Sequence, residues 1–484
     1  MKASMFLGID IGTSGVKAVV LSDTGEVFGQ AEAPLAVSRP SPLWSEQDPD
    51  EWWAATEEAV LGLDAALRAS VKGIGLAGQM HGATLVGEDD RPLRPAILWN
   101  DGRSFAECAE LEHIEPRSRQ ITGNLAMPGF TAPKLLWVRR HEPDIFDRVR
   151  TVLLPKDYVR LRMTGDKASD MADSAGTLWL DVAERSWSGP MLAASGLSET
   201  QMPALHEGSS ATGSLRPEVA ARWGMGLVPV AAGGGDNAAG AAGIGVIADG
   251  DALLSLGTSG VIFVATRDFR PNPERAVHAF CHCLPGMWHQ MSVHLSAASC
   301  VDWAASLTGL AGPEECFAKA EAVGPAAGPE LFLPYLSGER TPHNDPHVRG
   351  AFLGLGNATT PGHAAAAVLE GVAFGLADGL DALRAAGTTV TELAVIGGGA
   401  RSRYWGKILA AALDVQLTYL QGGEVGPALG AAKLAQMAVT GASAAEVCTR
   451  PPVSHAIEPD PALAERLAPK RARFRAAYPA IRSL

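Results

Sequence analysis

The sequence predicts an α/β protein of two related domains that close on a phosphate group, and three observations predict it. The first is the stretch Gly8-Ile9-Asp10-Ile11-Gly12-Thr13-Ser14-Gly15-Val16-Lys17, where an apolar run meets an acidic residue, then Gly-Thr-Ser-Gly, then a second apolar run. The second is its echo past the midpoint, Leu253 to Val264, which carries Gly257-Thr258-Ser259-Gly260 between two apolar runs. The third is that glycines gather at predicted strand ends, at Gly75 and Gly78, Gly233 to Gly235 and Gly397 to Gly399. Ligands bind at strand ends in α/β folds, and glycine there marks close backbone approach.

Each Gly-Thr-Ser-Gly copy reads as a tight turn between two short buried strands. Glycine lets the backbone approach a ligand, and successive N–H groups with the Thr and Ser hydroxyls form a donor surface suited to phosphate. One copy alone reads equally well as an ordinary hairpin. Two copies, one in each half, point to a duplicated domain with phosphate between the halves.

The length of 484 residues suits about two to three domains. A formal net charge of −13 argues against a nucleic-acid or membrane-surface partner. It permits an anionic ligand, because backbone N–H groups bind phosphate without a basic surface. No apolar stretch reaches spanning length, the N-terminus enters a strand directly, and the six cysteines make no disulfide framework. These features predict a cytoplasmic protein.

In chain order, strands Met5–Ile11 and Val16–Leu21 are followed by the turn Ser22–Gly25 and a third strand over 26–36. Asp48-Pro49-Asp50-Glu51 opens a helix predicted to run to about Arg68, with Asp48 as cap, Pro49 in the first turn and Glu51 completing a capping box. The strand Val71–Ala77 then ends in Gly78-Gln79-Met80-His81-Gly82. A further strand ends in Leu98-Trp99-Asn100-Asp101-Gly102-Arg103. Amide, carboxylate, guanidinium and imidazole groups converging beside an aromatic face suit the hydroxyls of a sugar. Asp170, Asp173 and Ser174 read as caps and turns.

At the junction, a buried strand runs through Gly233-Gly234-Gly235 into Asp236-Asn237 and a helix of Ala and Gly alone. Asp236 can cap that helix, but capping does not require three glycines before it. The glycines leave Asp236 reachable by substrate and phosphate. The cluster His278 to Cys283, with His289 and His294, reads as core packing, because no spaced Cys pair completes a zinc tetrahedron. The strand Glu392–Ile396 ends in Gly397-Gly398-Gly399-Ala400-Arg401-Ser402, a strand, glycine and helix order common in nucleotide binding. A second near-naked helix follows Gly426-Pro427, and the two Ala/Gly helices read as paired crossings at a hinge.

This ordered set resembles the sugar kinase, heat-shock-protein-70 and actin superfamily, and within it the FGGY carbohydrate kinases. Gly129 to His141, with Lys134 and Trp137, is similar to one family signature. Gly350 to Glu370 is similar to the other, with Ala364 where a larger apolar residue is usual. The loops at Gln79–Gly82, Leu98–Arg103 and Ser337-Gly338-Glu339-Arg340-Thr341-Pro342 resemble the branch that phosphorylates D-xylulose at O5. The resemblance implies two ribonuclease-H-like domains around a central cleft, divided at 1–245 and 246–484, with the sugar held by the first and ATP by the second.

It further implies ATP and Mg²⁺, with Asp236 as general base and Asp10 acting through the metal. Both carboxylates are candidates to hold Mg²⁺ through water. Met80, His81 and Asn237 match sugar-contacting positions, joined by Trp99, Asn100 and Arg103. Gly12, Thr13, Ser14, Lys17, Gly257, Thr258 and Ser259 are the candidates for phosphate, and Gly397, Gly398, Gly399 and Ser402 for adenosine. A small-molecule ketopentose and ATP are the expected partners, and a homodimer stays open. Two alternatives remain at this stage: a kinase of another ketopentose or polyol, and an actin- or chaperone-like ATPase that only changes shape.

Overall fold

The computed structural model describes residues 4–421 and 426–482. Two large mixed sheets organise it, and their inner strands follow one plan. In the first, Val27–Pro34, Gly15–Ser22, Met5–Ile11, Val71–Gly78 and Pro229–Ala231 lie side by side, with Ala211–Ser214 at the edge. In the second, Trp288–His294, Gly260–Thr266, Ala252–Leu256, Glu392–Ile396 and Gln416–Leu420 repeat that order, between edge strands His278–Cys281 and Val453–Ile457. In each sheet the Gly-Thr-Ser-Gly hairpin is antiparallel and its first strand runs parallel to the next strand inward. The strand interiors are apolar and buried, as both faces of a covered sheet require.

The two turns share a sequence but differ by one residue in register. Ile11 pairs with Val16 across the first, whereas Leu256 pairs with Gly260 across the second. Gly12 N–H accordingly donates to the Gly15 carbonyl at 3.0 Å, and Gly257 N–H donates to that of Ser259 at 3.1 Å.

The helix expected over 49–68 is two helices, Pro49–Leu61 and Ala65–Ser70. Gly62 ends the first, and Asp64 caps the second by accepting from Ala66 and Leu67 N–H groups. The two Ala/Gly helices are Asp236–Gly243 and Pro427–Thr440, and they pack directly on one another. A Cβ on Gly430 would lie 1.7 Å from the Ala239 carbonyl oxygen, so only glycine permits this approach.

The helix Pro427–Thr440 falls between two strands of the second sheet in sequence but lies against the first. Cβ atoms on Gly8 and Gly75, in adjacent strands, would sit 1.8 and 1.9 Å from carbonyl oxygens of Ala428 and Ala431. Strand backbone and helix backbone are in contact there, with no side chain between them.

Candidate active site

Asp10 stands near the end of its strand, directly opposite Lys17 across the hairpin, and Lys17 is in turn opposite Glu32. One face of three strands therefore carries an acid, a base and an acid in a row, with Lys17 Nζ 3.1 Å from Glu32. The Asp10 Oδ1 atom is buried and has no protein hydrogen-bond partner. Burial, then the charge of Asp236, push the Asp10 carboxyl up to about 7, against the pull of Lys17.

Asp236 is the first residue of its helix, with Gly235 in the cap position. Its Oδ1 accepts from the main-chain N–H of Asn237 at 2.7 Å and from Asn237 Nδ2 at 2.8 Å. It therefore stands inside the first turn rather than at the cap position, and both bonds to Asn237 hold its carboxylate in place. Burial pushes Asp236 up to about 6, opposed by the two Asn237 bonds. A carboxylate poised there takes a proton near neutral pH.

His81 occupies the left-handed region at φ 70°, unusual for a residue with a side chain. Its carbonyl accepts from Lys134 Nζ at 2.8 Å and from Thr131 Oγ1 at 3.2 Å. Its Nδ1 lies 2.7 Å from the Gly176 carbonyl oxygen, which fixes Nδ1–H as the donor. Burial, with Lys134 nearby, holds the imidazole far below its usual range, so it is neutral and Nε2 is an acceptor. The buried lysine of the signature stretch thus acts on the backbone of His81. Asp170 caps the short helix Met171–Ala175, and Asp157, Asp170 and Asp173 surround the fully buried Lys156.

Between the sheets lies a cavity of about 290 Å³, of sugar size, onto which Met80, His81, Trp99, Asp236, Asn237 and Ser259 open. Trp99 also donates from Nε1 to Thr13 Oγ1 at 3.0 Å, and that hydroxyl donates to Gln79 Oε1 at 3.0 Å. The first turn is thereby braced against the Gln79–Gly82 loop, and the Thr13 hydroxyl is already engaged. Ser14, Thr258 and Ser259 are exposed at the turn tips.

Several expected residues stand elsewhere. Arg103 does not line the cavity: it is clamped by Glu46 and Asp101, each at 2.7 Å, and stacked 3.7 Å over Trp44. Its role is to anchor the loop that presents Trp99. Asn100 also lies off the cavity. Ser402 caps the helix Arg403–Leu413 by accepting from Trp405 N–H at 3.2 Å. Gly397, at φ 94°, comes so close to Leu256 that a Cβ would lie 2.8 Å from its carbonyl oxygen, while Gly398 faces open space.

Sequence reasoning missed the cavity's second wall. His278 and Phe280 line it from one strand, Met291 and Val293 from the next, and Arg340 from the loop beyond. The signal was the alternation of His278 and Phe280, which places them on one face. Among the described residues, no group of three or more His, Cys, Asp or Glu side chains is arranged to hold a metal ion.

Two lobes built on one sheet plan, a Gly-Thr-Ser-Gly turn on each and a polar, sugar-sized cleft are what a carbohydrate kinase requires. The chain belongs to the FGGY family of carbohydrate kinases, whose N-terminal domain matches residues 5–243 and C-terminal domain residues 252–439. It is 57% identical to the xylulose kinase of Escherichia coli over 98% of both chains, and 38% identical to that of Bacillus subtilis over 89% of this chain and 87% of that one. Its fold superposes on the "xyloylose kinase" of Brucella ovis with a TM-score of 0.96 at 51% identity, covering 99% of each chain. On the Rhodospirillum rubrum xylulose kinase the score is 0.90 at 28% identity, covering 98% of each. Use of ATP follows from the family. No described helix is long and apolar enough to cross a membrane.

Proposed function

We propose that this protein transfers the γ-phosphoryl group of ATP to O5 of D-xylulose, giving D-xylulose 5-phosphate. The observation that carries this reading is the meeting of Asp236 and Asn237 with Met80 and His81 in one sugar-sized cavity beside the phosphate turns. The relatives named xylulose kinase support the choice of sugar.

Phosphoryl transfer needs positioning and charge neutralisation more than covalent chemistry. Asp236 accepts the proton of the attacking hydroxyl, and Asn237 orients both. N–H groups of the turns at Gly12–Gly15 and Gly257–Gly260 hold phosphate oxygens. Gly397 to Gly399 give adenosine a flat backbone surface.

The residues fit Mg²⁺: Asp10 keeps one buried oxygen free of protein partners, and its charge and that of Asp236 repel, an excess that Lys17, itself paired with Glu32, does not cancel. These two carboxylates would hold the ion through water, and it would supply charge neutralisation at the phosphates.

The test is ADP release measured over D-xylulose, D-ribulose, glycerol and gluconate. D-xylulose should give the highest kcat/KM. Preference for any of the others would overturn the choice of sugar.

A further inference from the structure

The cavity holds a guanidinium that has no hydrogen bond or ion pair among the described residues and feels only the longer-range pull of Glu339. Arg340 enters it from the second lobe, on a loop fixed by its neighbour Glu339. Glu339 Oε1 accepts from the N–H groups of Leu295 at 3.0 Å and Arg340 at 2.8 Å, and its Oε2 lies 3.5 Å from His294 Nδ1. Oε1 is thus taken by the loop backbone, while Oε2 has no hydrogen-bond partner among the described residues. Among the described residues, the Arg340 side chain makes no hydrogen bond or ion pair, although it is half-buried. Other sequestered guanidiniums are answered: Arg103 by Glu46 and Asp101, Arg160 by Thr212 Oγ1 and the Ala232 carbonyl. Withdrawing an unpaired charge from water is costly, and a site keeps one where a ligand completes it.

The ligand atoms it completes must be acceptors, since arginine offers only donors. Across the cavity, the neutral His81 offers Nε2 as an acceptor for a hydroxyl. Asp236 and Asn237 take the attacking end of the sugar. Arg340 stands on the His81 side of the cavity, where its charge bears on that imidazole. Its Nη2 reaches the first lobe beside Gly129, where a Cβ would lie 3.7 Å away.

We infer that Arg340 receives the C1–C2 hydroxyketone end of an open-chain ketose and is the residue by which this site prefers a ketose to the matching polyol. The inference rests on the ketopentose reading above and deepens it. The planar fork of arginine suits two acceptors on neighbouring carbons, one of them a carbonyl with in-plane lone pairs. A polyol replaces that carbonyl with a tetrahedral hydroxyl, whose own proton must turn away from the guanidinium. Because Arg340 comes from one lobe and His81 and Asp236 from the other, a ketose held at both ends also ties the lobes together across the cleft.

The test compares wild type, Arg340→Met and Arg340→Lys. KM and kcat are measured with D-xylulose, and inhibition constants with its reduced forms, xylitol and D-arabinitol. Arg340→Met should lower kcat/KM for the ketose about 100-fold, mostly through KM, and weaken the polyols less than about 3-fold. Arg340→Lys should fall between. The KM for ATP and sugar-free ATP hydrolysis should stay near wild type, and the thermal midpoint of Arg340→Met should not fall and should rise if the unpaired charge is costly. Equal losses for ketose and polyol, or an unchanged ketose KM, would overturn the assignment while wild-type ketose turnover stands. A wild-type protein that phosphorylates a polyol and no ketose would remove the ketopentose reading and this assignment together.

Discussion

Lys433 donates from Nζ to the carbonyl oxygen of Gly243 at 2.8 Å, and Gly243 is the last residue of the helix that Asp236 opens. A second bond reaches the Thr449 carbonyl at 3.1 Å. A cation at a helix C-terminus satisfies carbonyls that have no partner within the helix. The far end of the chain therefore sets the seat of the proposed base. Lys433→Met leaves those carbonyls buried and unanswered, and should cost about 1–3 kcal/mol of stability. Turnover should fall several-fold with little change in either KM, read by thermal melting and steady-state kinetics on the same preparation.

Asp236→Asn keeps the shape of the side chain but cannot take a proton. Turnover should drop by about 10²–10⁴-fold while calorimetry still detects ATP and ketose binding. Retention of more than a few per cent of wild-type turnover would leave Asp236 a structural residue. In the wild type, kcat/KM should fall as pH drops through about 6, where the buried Asp236 takes up its proton.

The Asp10 carboxyl sits near 7 in the fold and at 3.8 in an ordinary setting, so between those values the folded protein binds more protons than the unfolded one. Stability from this group therefore falls as pH rises from about 4 to 7. Asp10→Asn removes that charge. It should raise the thermal midpoint by a few degrees at pH 8, by less at pH 5 and hardly at all near pH 4, while abolishing turnover. A lower midpoint at pH 8 would refute the repulsion. His278 and His282, held at about 3 and 4 by burial, act in the opposite sense: below about 6.5 the unfolded chain gains protons that the fold refuses, and stability declines.

Lys134 touches no cavity surface, yet it holds the strained backbone of His81. Lys134→Met should raise the ketose KM about tenfold and leave the KM for ATP alone, the same signature expected of His81→Ala. A change confined to ATP would place Lys134 in a different role.

The parts of this architecture that sequence made legible were those coded by neighbours in the chain. Both turns, the glycine run before Asp236 and the naked helices carry their meaning within a dozen residues. The break in the first helix was equally local, at Gly62 and Asp64, and was overlooked because the apolar spacing of Ala59, Leu63 and Leu67 continues through it. Arg103 was misplaced for a different reason. A guanidinium in a polar loop looks available until Glu46, Asp101 and Trp44 are seen to enclose it, and Glu46 and Trp44 come from a distant segment. Arg340 is the converse: nearby Glu339 looks like its partner, and only the fold shows that carboxylate turned to the backbone of Leu295.

The backbone contact of Pro427–Thr440 with Gly8 and Gly75 also dictates an order of events at the ribosome. The first sheet is complete once residue 235 has been made, but the helix that covers one of its faces is synthesised about 200 residues later. At typical elongation rates of about 5–20 residues per second, that apolar face waits about 10–40 seconds for its cover. During that interval the nascent chain presents a flat, glycine-studded surface to its surroundings. The emerging second half must supply the segment that protects the first.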